Sequence, residues 1–278
     1  MSALAVSLEA GRLTPRVWFY ANYHCNLRCS YCLTESGPGV PRRELGPERM
    51  LALAREARDL GFTELGVTGG EPFLLDYLPE LLGEMARILP VLVLSNATVF
   101  NARRLRALEP LADLPVRIQI SLDHPDPVEN DAMRGPENFA KVVRAVPELI
   151  ARGIGVRIAT TLEDPDAVDP AESERLCALH RSLGVPDEDH VVRPIIRRGR
   201  ADTGDLGVAA GFEQLDPELT ITADGAFASP FGPTVRGGRM DTDLLVTRTI
   251  APLRGPAEAL AGVVEGSPPG TDTRLGIR

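Results

Sequence analysis

Lysine is almost missing from this chain: Lys141 is the only one in 278 residues, so nearly all of the positive charge is arginine. Acidic residues outnumber basic ones by 39 to 30, the formal net charge is −9 at pH 7, and no basic run offsets it. Such a chain repels a phosphate backbone, which argues against a nucleic-acid partner, although local clusters such as Arg197, Arg198 and Arg200 suit a small anion. No apolar stretch approaches the ~20 residues that span a bilayer, so no membrane partner is expected. The first fifteen residues lack a basic start, and Glu9 interrupts their apolar stretch, so they do not read as a secretory signal. The expected location is the cytoplasm, where thiols stay reduced.

Cysteine is scarce too, and absent after Cys177. Three of the four, Cys25, Cys29 and Cys32, form C-x3-C-x2-C within one short segment, for which metal ligation is a better reading than a disulfide framework. Three thiolates on one loop suit three irons of a cubane cluster and leave the fourth iron open. A zinc knuckle completed by His24 or another ligand is the alternative, since zinc takes thiolates and imidazole at close spacings. Cys177, beside Leu176 and Leu179, reads as a buried small hydrophobe, with a role as hydrogen-atom donor left open.

What the chain does have, at 44% apolar residues, is enough material for a full core. Short β-type runs at 17–20, 64–68, 91–95, 117–121, 156–161 and 190–195 alternate with helical patterns. Helices are expected at 47–60, 78–89, 102–108, 138–151 and 170–183, with Pro147 kinking or restarting the fourth. Six βα units are fewer than the eight of a closed barrel, so the predicted fold is α/β, a partial (β/α)6 TIM-type barrel, with its ligands at the C-terminal ends of the strands. After Ile196 the pattern changes to a Gly-rich loop and a β-hairpin around Asp224-Gly225. The expected organisation is an N-terminal segment 1–15, a barrel 16–201, a small cap 202–265 and a disordered tail 266–278.

Motifs fall at the ends of strands. The second runs into Gly69-Gly70-Glu71-Pro72, whose glycines admit close backbone approach and whose carboxylate pairs with an ammonium. The third ends in Ser95-Asn96-Ala97 and the fourth in Ser121-Leu122-Asp123, where Ser and Asp either meet a ligand or cap the next helix. Arg134 follows in Met133-Arg134-Gly135, and the sixth strand leads into Arg193-Pro194-Ile195-Ile196-Arg197-Arg198-Gly199-Arg200-Ala201.

Taken together, C-x3-C-x2-C with Tyr31 before its third cysteine, a GGEP segment and S-x-D resemble the signatures of the radical S-adenosylmethionine (SAM) superfamily, over roughly residues 17–201. The resemblance implies an enzyme with a [4Fe–4S] cluster on Cys25, Cys29 and Cys32. It implies SAM contacts from Tyr31, Gly69, Gly70, Glu71, Ser95, Asn96, Ser121, Asp123 and Arg134, with Glu71 on the methionyl amino group and Arg134 on the carboxylate. Ala97 departs from the glycine usual in that family's third segment. Arg197 or Arg200 is expected against adenosine or substrate. A low-potential electron from a flavodoxin- or ferredoxin-type donor would cleave SAM to a 5′-deoxyadenosyl radical, which abstracts hydrogen from a small-molecule or peptide substrate. The hairpin is similar to the start of a SPASM or twitch extension, but Ser229 stands where a ligating cysteine belongs, so no auxiliary cluster is expected. Activation of a partner enzyme by a glycyl radical, or a non-catalytic zinc module, are the alternative functions.

Overall fold

The computed structural model describes residues 2–165 and 169–265; the expected tail lies outside them. Six parallel strands form the sheet's centre: β1 (Arg16–Asn22), β2 (Glu64–Gly69), β3 (Val91–Ser95), β4 (Val116–Ser121), β5 (Gly155–Leu162) and β6 (His190–Pro194). They sit side by side in chain order, as right-handed βα crossovers dictate. The sheet does not close on itself, so the partial barrel expected from six βα units is what forms.

The helices α2 (Pro47–Asp59), α3 (Leu78–Ala86), α4 (Ala102–Leu108), α6 (Asn138–Ile150) and α7 (Pro170–Ser182) fill the intervals. Proline opens α2, and Gly61 takes the positive φ that its C-terminus needs. Pro147 lies inside α6 without ending it. Its missing N–H removes one helical bond, and the buried Val142, Val146 and Leu149 carry the helix past the gap. Four helices have no counterpart in the sequence reading: α1 (Ala3–Glu9), α5 (Pro127–Arg134), the single turn α8 (Arg200–Thr203) and α9 (Arg254–Val264).

Successive strand residues face opposite sides, and the core divides accordingly. Val17 and Phe19 of β1 join Leu65, Val67, Val91, Val93, Ile118 and Ile120 under the helices. Trp18 points the other way, with Leu92, Ile196, Leu215, Phe227, Phe231 and Leu244. This second cluster lies on the concave side.

The C-terminal segment continues the sheet. β7 (Leu219–Thr222) pairs parallel with the free edge of β1, β8 (Gly225–Phe227) returns antiparallel, and β11 (Leu245–Thr247) pairs with β8. Between them β9 (Val235–Arg236) and β10 (Arg239–Met240) make a two-stranded ribbon. The segment thus adds three strands to the sheet, and α9 packs on α1. Among the described residues no helix is long and apolar enough to cross a membrane.

Candidate active site

The segment after β1 carries the three cysteines around a cavity that Gly69, Gly70, Ser95, Asn96, Ser121 and Arg134 also line. All but Arg134, the last residue of α5, come from the C-terminal end of a strand or the loop beyond it, where a parallel sheet leaves backbone groups free for ligands. Gly70 is obligatory: a Cβ there would lie 2.1 Å from the His24 carbonyl oxygen. Gly69, at φ +148°, crowds Asn22 in the same way. The two glycines therefore let β2 close against the start of the cysteine loop.

The loop is held from several directions. Ser30 N–H donates to Met133 O at 2.9 Å, the Cys29 thiol donates to Arg134 O at 3.6 Å, and the Asn96 amide donates to Cys25 Sγ at 3.6 Å. Arg200 supplies three more. Its Nη1 donates to Cys29 O at 2.8 Å, its Nη2 to Ser36 O, and its backbone N–H to Cys32 O at 3.0 Å. Gly199, at φ +60°, permits this approach, since a Cβ would sit 2.3 Å from Leu33 O. Arg200 was expected against adenosine or substrate; it grips the cysteine loop instead. Arg197, the other candidate, is turned to Asp205 and the Gly207 carbonyl.

Burial pushes the Cys25 thiol up to about 12, with the Glu71 carboxylate adding to the effect, and burial raises Cys29 as well. Thiols in such surroundings stay protonated until a metal compensates the thiolate charge. A single zinc ion draws its ligands to ~2.0–2.3 Å of one point, whereas a cubane takes one thiolate per iron. Among the described residues no three His, Cys, Asp or Glu side chains could hold one ion, and His24 faces Val40 O at 3.3 Å, away from the cavity. Three thiols around one cavity are a donor set that fits a cluster taking one thiolate per iron.

Glu71 does not line the cavity. Its carboxylate is fully buried and accepts from Phe73 N–H at 3.0 Å, Ser95 Oγ at 3.0 Å and Asn96 N–H at 2.7 Å. It ties the end of β2 to the end of β3, and burial still raises it to about 7. Ala97 adopts φ +59°, the left-handed conformation that a glycine would take there, at a cost of ~1–2 kcal/mol.

Asp123 is likewise behind the wall. It accepts from Tyr31 Oη at 2.5 Å, Arg134 Nη1 at 2.9 Å and Thr161 N–H at 2.9 Å, and Tyr31 accepts from Arg134 as well. Arg134 ends α5, whose start is signalled by Asp126 capping Val128 N–H and by Pro127. The Asp126-Pro127 pair was the overlooked sign of that helix. The Arg134 Nε is buried without a partner beside the cavity, as a carboxylate-binding guanidinium would be.

Among the cavity residues left unassigned in the sequence reading are Thr161 and Arg193, at the ends of β5 and β6. Cys177 does not line the cavity; its Sγ lies 3.7 Å from His190 Nδ1 between α7 and the sheet. Ser229 is buried, its Oγ accepting from Phe231 N–H at 3.4 Å.

A family model described as the Radical SAM superfamily matches residues 21–164. The GTP 3′,8-cyclase 2 of Mycobacterium tuberculosis (strain H37Rv) is 35% identical over 148 residues, covering 51% of this chain and 40% of that protein. The sporulation killing factor maturation protein SkfB of Bacillus subtilis is 28% identical over 156 residues, covering 55% of this chain and 37% of SkfB. In each case the matched stretch spans less than half of the curated relative. Streptococcus suis SuiB bound to S-adenosylmethionine shares the fold with TM-score 0.60 at 14% identity, covering 80% of this chain and 61% of SuiB. Bound to its precursor peptide SuiA, SuiB gives TM-score 0.63 at 12% identity, covering 99% and 78%.

Proposed function

The chain belongs to the radical SAM superfamily, and on that premise we propose that it holds a [4Fe–4S] cluster on Cys25, Cys29 and Cys32, cleaves S-adenosylmethionine reductively, and tailors a small-molecule or peptide substrate. The observation that carries this reading is the single cavity shared by the three thiols, the Gly69-Gly70 backbone and the Arg134 guanidinium. Cluster and SAM together supply a 5′-deoxyadenosyl radical, able to take hydrogen from an unactivated carbon, which no side chain generates.

The chain's own residues bind, orient and shield. Arg134, charged and anchored by Asp123, offers its free Nε to the methionyl carboxylate, a planar match of donor pairs to oxygen pairs. Gly69 and Gly70 admit the amino group to their backbone, and Ser121 faces the same space. Glu71 acts through Ser95 and Asn96: by fixing the Asn96 backbone it aims the amide at Cys25 Sγ. Arg200 keeps the cysteine loop closed. Phe231, from beyond β8, walls one side and helps exclude water from the radical. Residues 16–201 then act as the core and 202–265 as the cap.

The names of the relatives bear on the substrate. A GTP cyclase and a killing-factor maturation protein match in sequence, and SuiB binds a peptide, which supports a nucleotide-sized or peptide substrate. The electron donor is a flavodoxin- or ferredoxin-type protein, and the setting is the cytoplasm.

The test is anaerobic reconstitution followed by reduction with dithionite in the presence of SAM. One cluster's worth of iron and sulfide, with release of methionine and 5′-deoxyadenosine, is expected. Alanine at Cys25, Cys29 or Cys32 should abolish both, and Cys177→Ala neither. Cluster retention in Cys29→Ala would sink the ligand assignment.

A further inference from the structure

The cavity contains two guanidinium groups, and only one has an ionic partner there. Arg134 is paired with Asp123 at 2.9 Å. Arg193 donates from Nε to Thr161 Oγ1 at 3.3 Å, while its Nη1 is buried without a partner. None of the ion pairs among the described residues includes it, and burial pulls its pKa down. Asp123 is the carboxylate whose charge reaches Arg193, and its oxygens already accept from Tyr31, Arg134 and Thr161 N–H. A part-buried guanidinium whose Nη1 is shut off from water without a partner, and whose nearest carboxylate is already claimed, is costly unless a ligand supplies the anion.

Arg193 and Arg134 line the same cavity from different elements, the end of β6 and the end of α5. Arg134 lies against the cysteine loop, through the bond from the Cys29 thiol to its carbonyl. Arg193 comes from the end of β6, next to an apolar wall of Leu33, Leu94, Ile195, Ile196 and Phe231. We propose that Arg193 is the anion-recognition residue of the substrate site, and that the substrate presents a carboxylate joined to an apolar body. This deepens the radical SAM reading and rests on it.

A carboxylate is favoured over a phosphate by charge. One unpaired guanidinium matches one monoanion, and a phosphate dianion would leave negative charge buried without a second cation. The sole lysine, Lys141, is on α6, outside the cavity.

The experiment uses cluster-loaded, SAM-saturated protein under anaerobic conditions, titrated calorimetrically with hexanoate, hexan-1-ol and inorganic phosphate. Hexanoate should bind about tenfold or more tightly than either of the others, without displacing SAM. Arg193→Gln should weaken hexanoate by a similar factor and SAM by much less, with Arg193→Lys restoring part of the loss. Equal binding of hexanoate and hexan-1-ol to the unaltered protein, a comparison that needs no variant to fold, would overturn the proposal. So would displacement of SAM by hexanoate, because Arg193 would then belong to the SAM carboxylate. Failure to bind SAM at all would overturn the radical SAM reading, and this inference with it.

Discussion

β2 and β7 are the two parallel neighbours of β1, one on each side, and they end in opposite ways. β2 runs out into Gly69-Gly70, whose backbone faces the cavity beside the cysteine loop. β7 runs out into a turn that satisfies itself: Thr222 Oγ1 donates to Gly225 O at 3.1 Å and accepts from Asp224 N–H at 3.0 Å, and the chain returns as β8. Each strand also has a buried carboxylate beside it, raised by burial to about 7. Glu71, after β2, is held by two backbone N–H groups and a hydroxyl. Glu218, before β7, faces the Trp18 indole and Arg16 at 3.6 Å. A place beside β1 therefore does not make a ligand site. The loop at the strand's end does, by leaving backbone groups open or by closing them on itself.

The comparison is broken most severely by removing one side of it. A chain ended after Pro217 loses β7 and α9, and with them Leu219, Ile221, Leu253, Leu260 and Val264 from the main core. At ~1.5–3 kcal/mol for each buried side chain, that loss is comparable with the roughly 5–15 kcal/mol that keeps a domain folded. The truncated chain should lose its cooperative thermal transition by circular dichroism. A sharp transition with a retained cluster would instead show β7 to be an accessory strand.

On the β2 side, Arg200→Gln should loosen the cysteine loop without unfolding the sheet. Hydrogen bonds from a charged group contribute about 1.5–3 kcal/mol, or roughly one to two decades in rate if that stabilisation resists loop opening. Cluster absorbance should bleach faster under anaerobic chelator by that factor, whereas Arg197→Gln, whose partners lie at Asp205 and Gly207, should match the unaltered protein.

Glu218 sharpens the comparison through pH. Its folded pKa, about 7, exceeds the ordinary 4.5 because burial disfavours the carboxylate, so between those values the folded state binds more protons than the unfolded one. Stability from this group is present below about pH 4.5 and is lost as pH rises to 7. Glu218→Gln, which cannot ionise, should gain stability relative to the unaltered protein across that window, by about 3 kcal/mol at most. Urea denaturation at pH 5 and pH 7.5 reads the difference; parallel curves for the two proteins would rule out the burial argument.

The smallest effect belongs to Arg43, which joins the turn after β7 to the loop before α2 through Asp224 at 2.8 Å and lies over the Tyr23 ring at 4.5 Å. The pair is half-exposed, so Arg43→Ala should cost about 1 kcal/mol or less and lower the melting midpoint by roughly 2–4 °C.

The six strands and five of the helices were legible because their signals are local: apolar periodicity, proline at the first turn of α2, glycine after its end. The cysteine loop and the Gly69-Gly70 turn were legible for the same reason, each being a short run whose chemistry follows from its own residues. What the sequence could not supply was the partner of each charge. Glu71 carries the right charge for an ammonium, but Ser95 and Asn96 N–H claim its oxygens. Arg200 looked like a ligand contact, and its partners turned out to be Cys29 and Ser36 carbonyls more than 160 positions away. The hairpin was recognised at Asp224-Gly225, while its place on the free edge of β1 was not.

By itself, then, the sequence determined the chemistry of the donors and the succession of elements, since a thiolate triplet, a glycine pair and the periods of helix and strand are properties of neighbouring residues. Tertiary structure alone decided which charges are spoken for and which are idle. Asp123 is claimed by Arg134 and Tyr31, Glu71 is sealed between two strand ends, and Arg193 is left facing the cavity with Nη1 unpaired. Those outcomes depend on where separately formed strands and loops are brought to rest, because the desolvation and pairing of a charge are set by whatever packs around it and not by its neighbours in the chain.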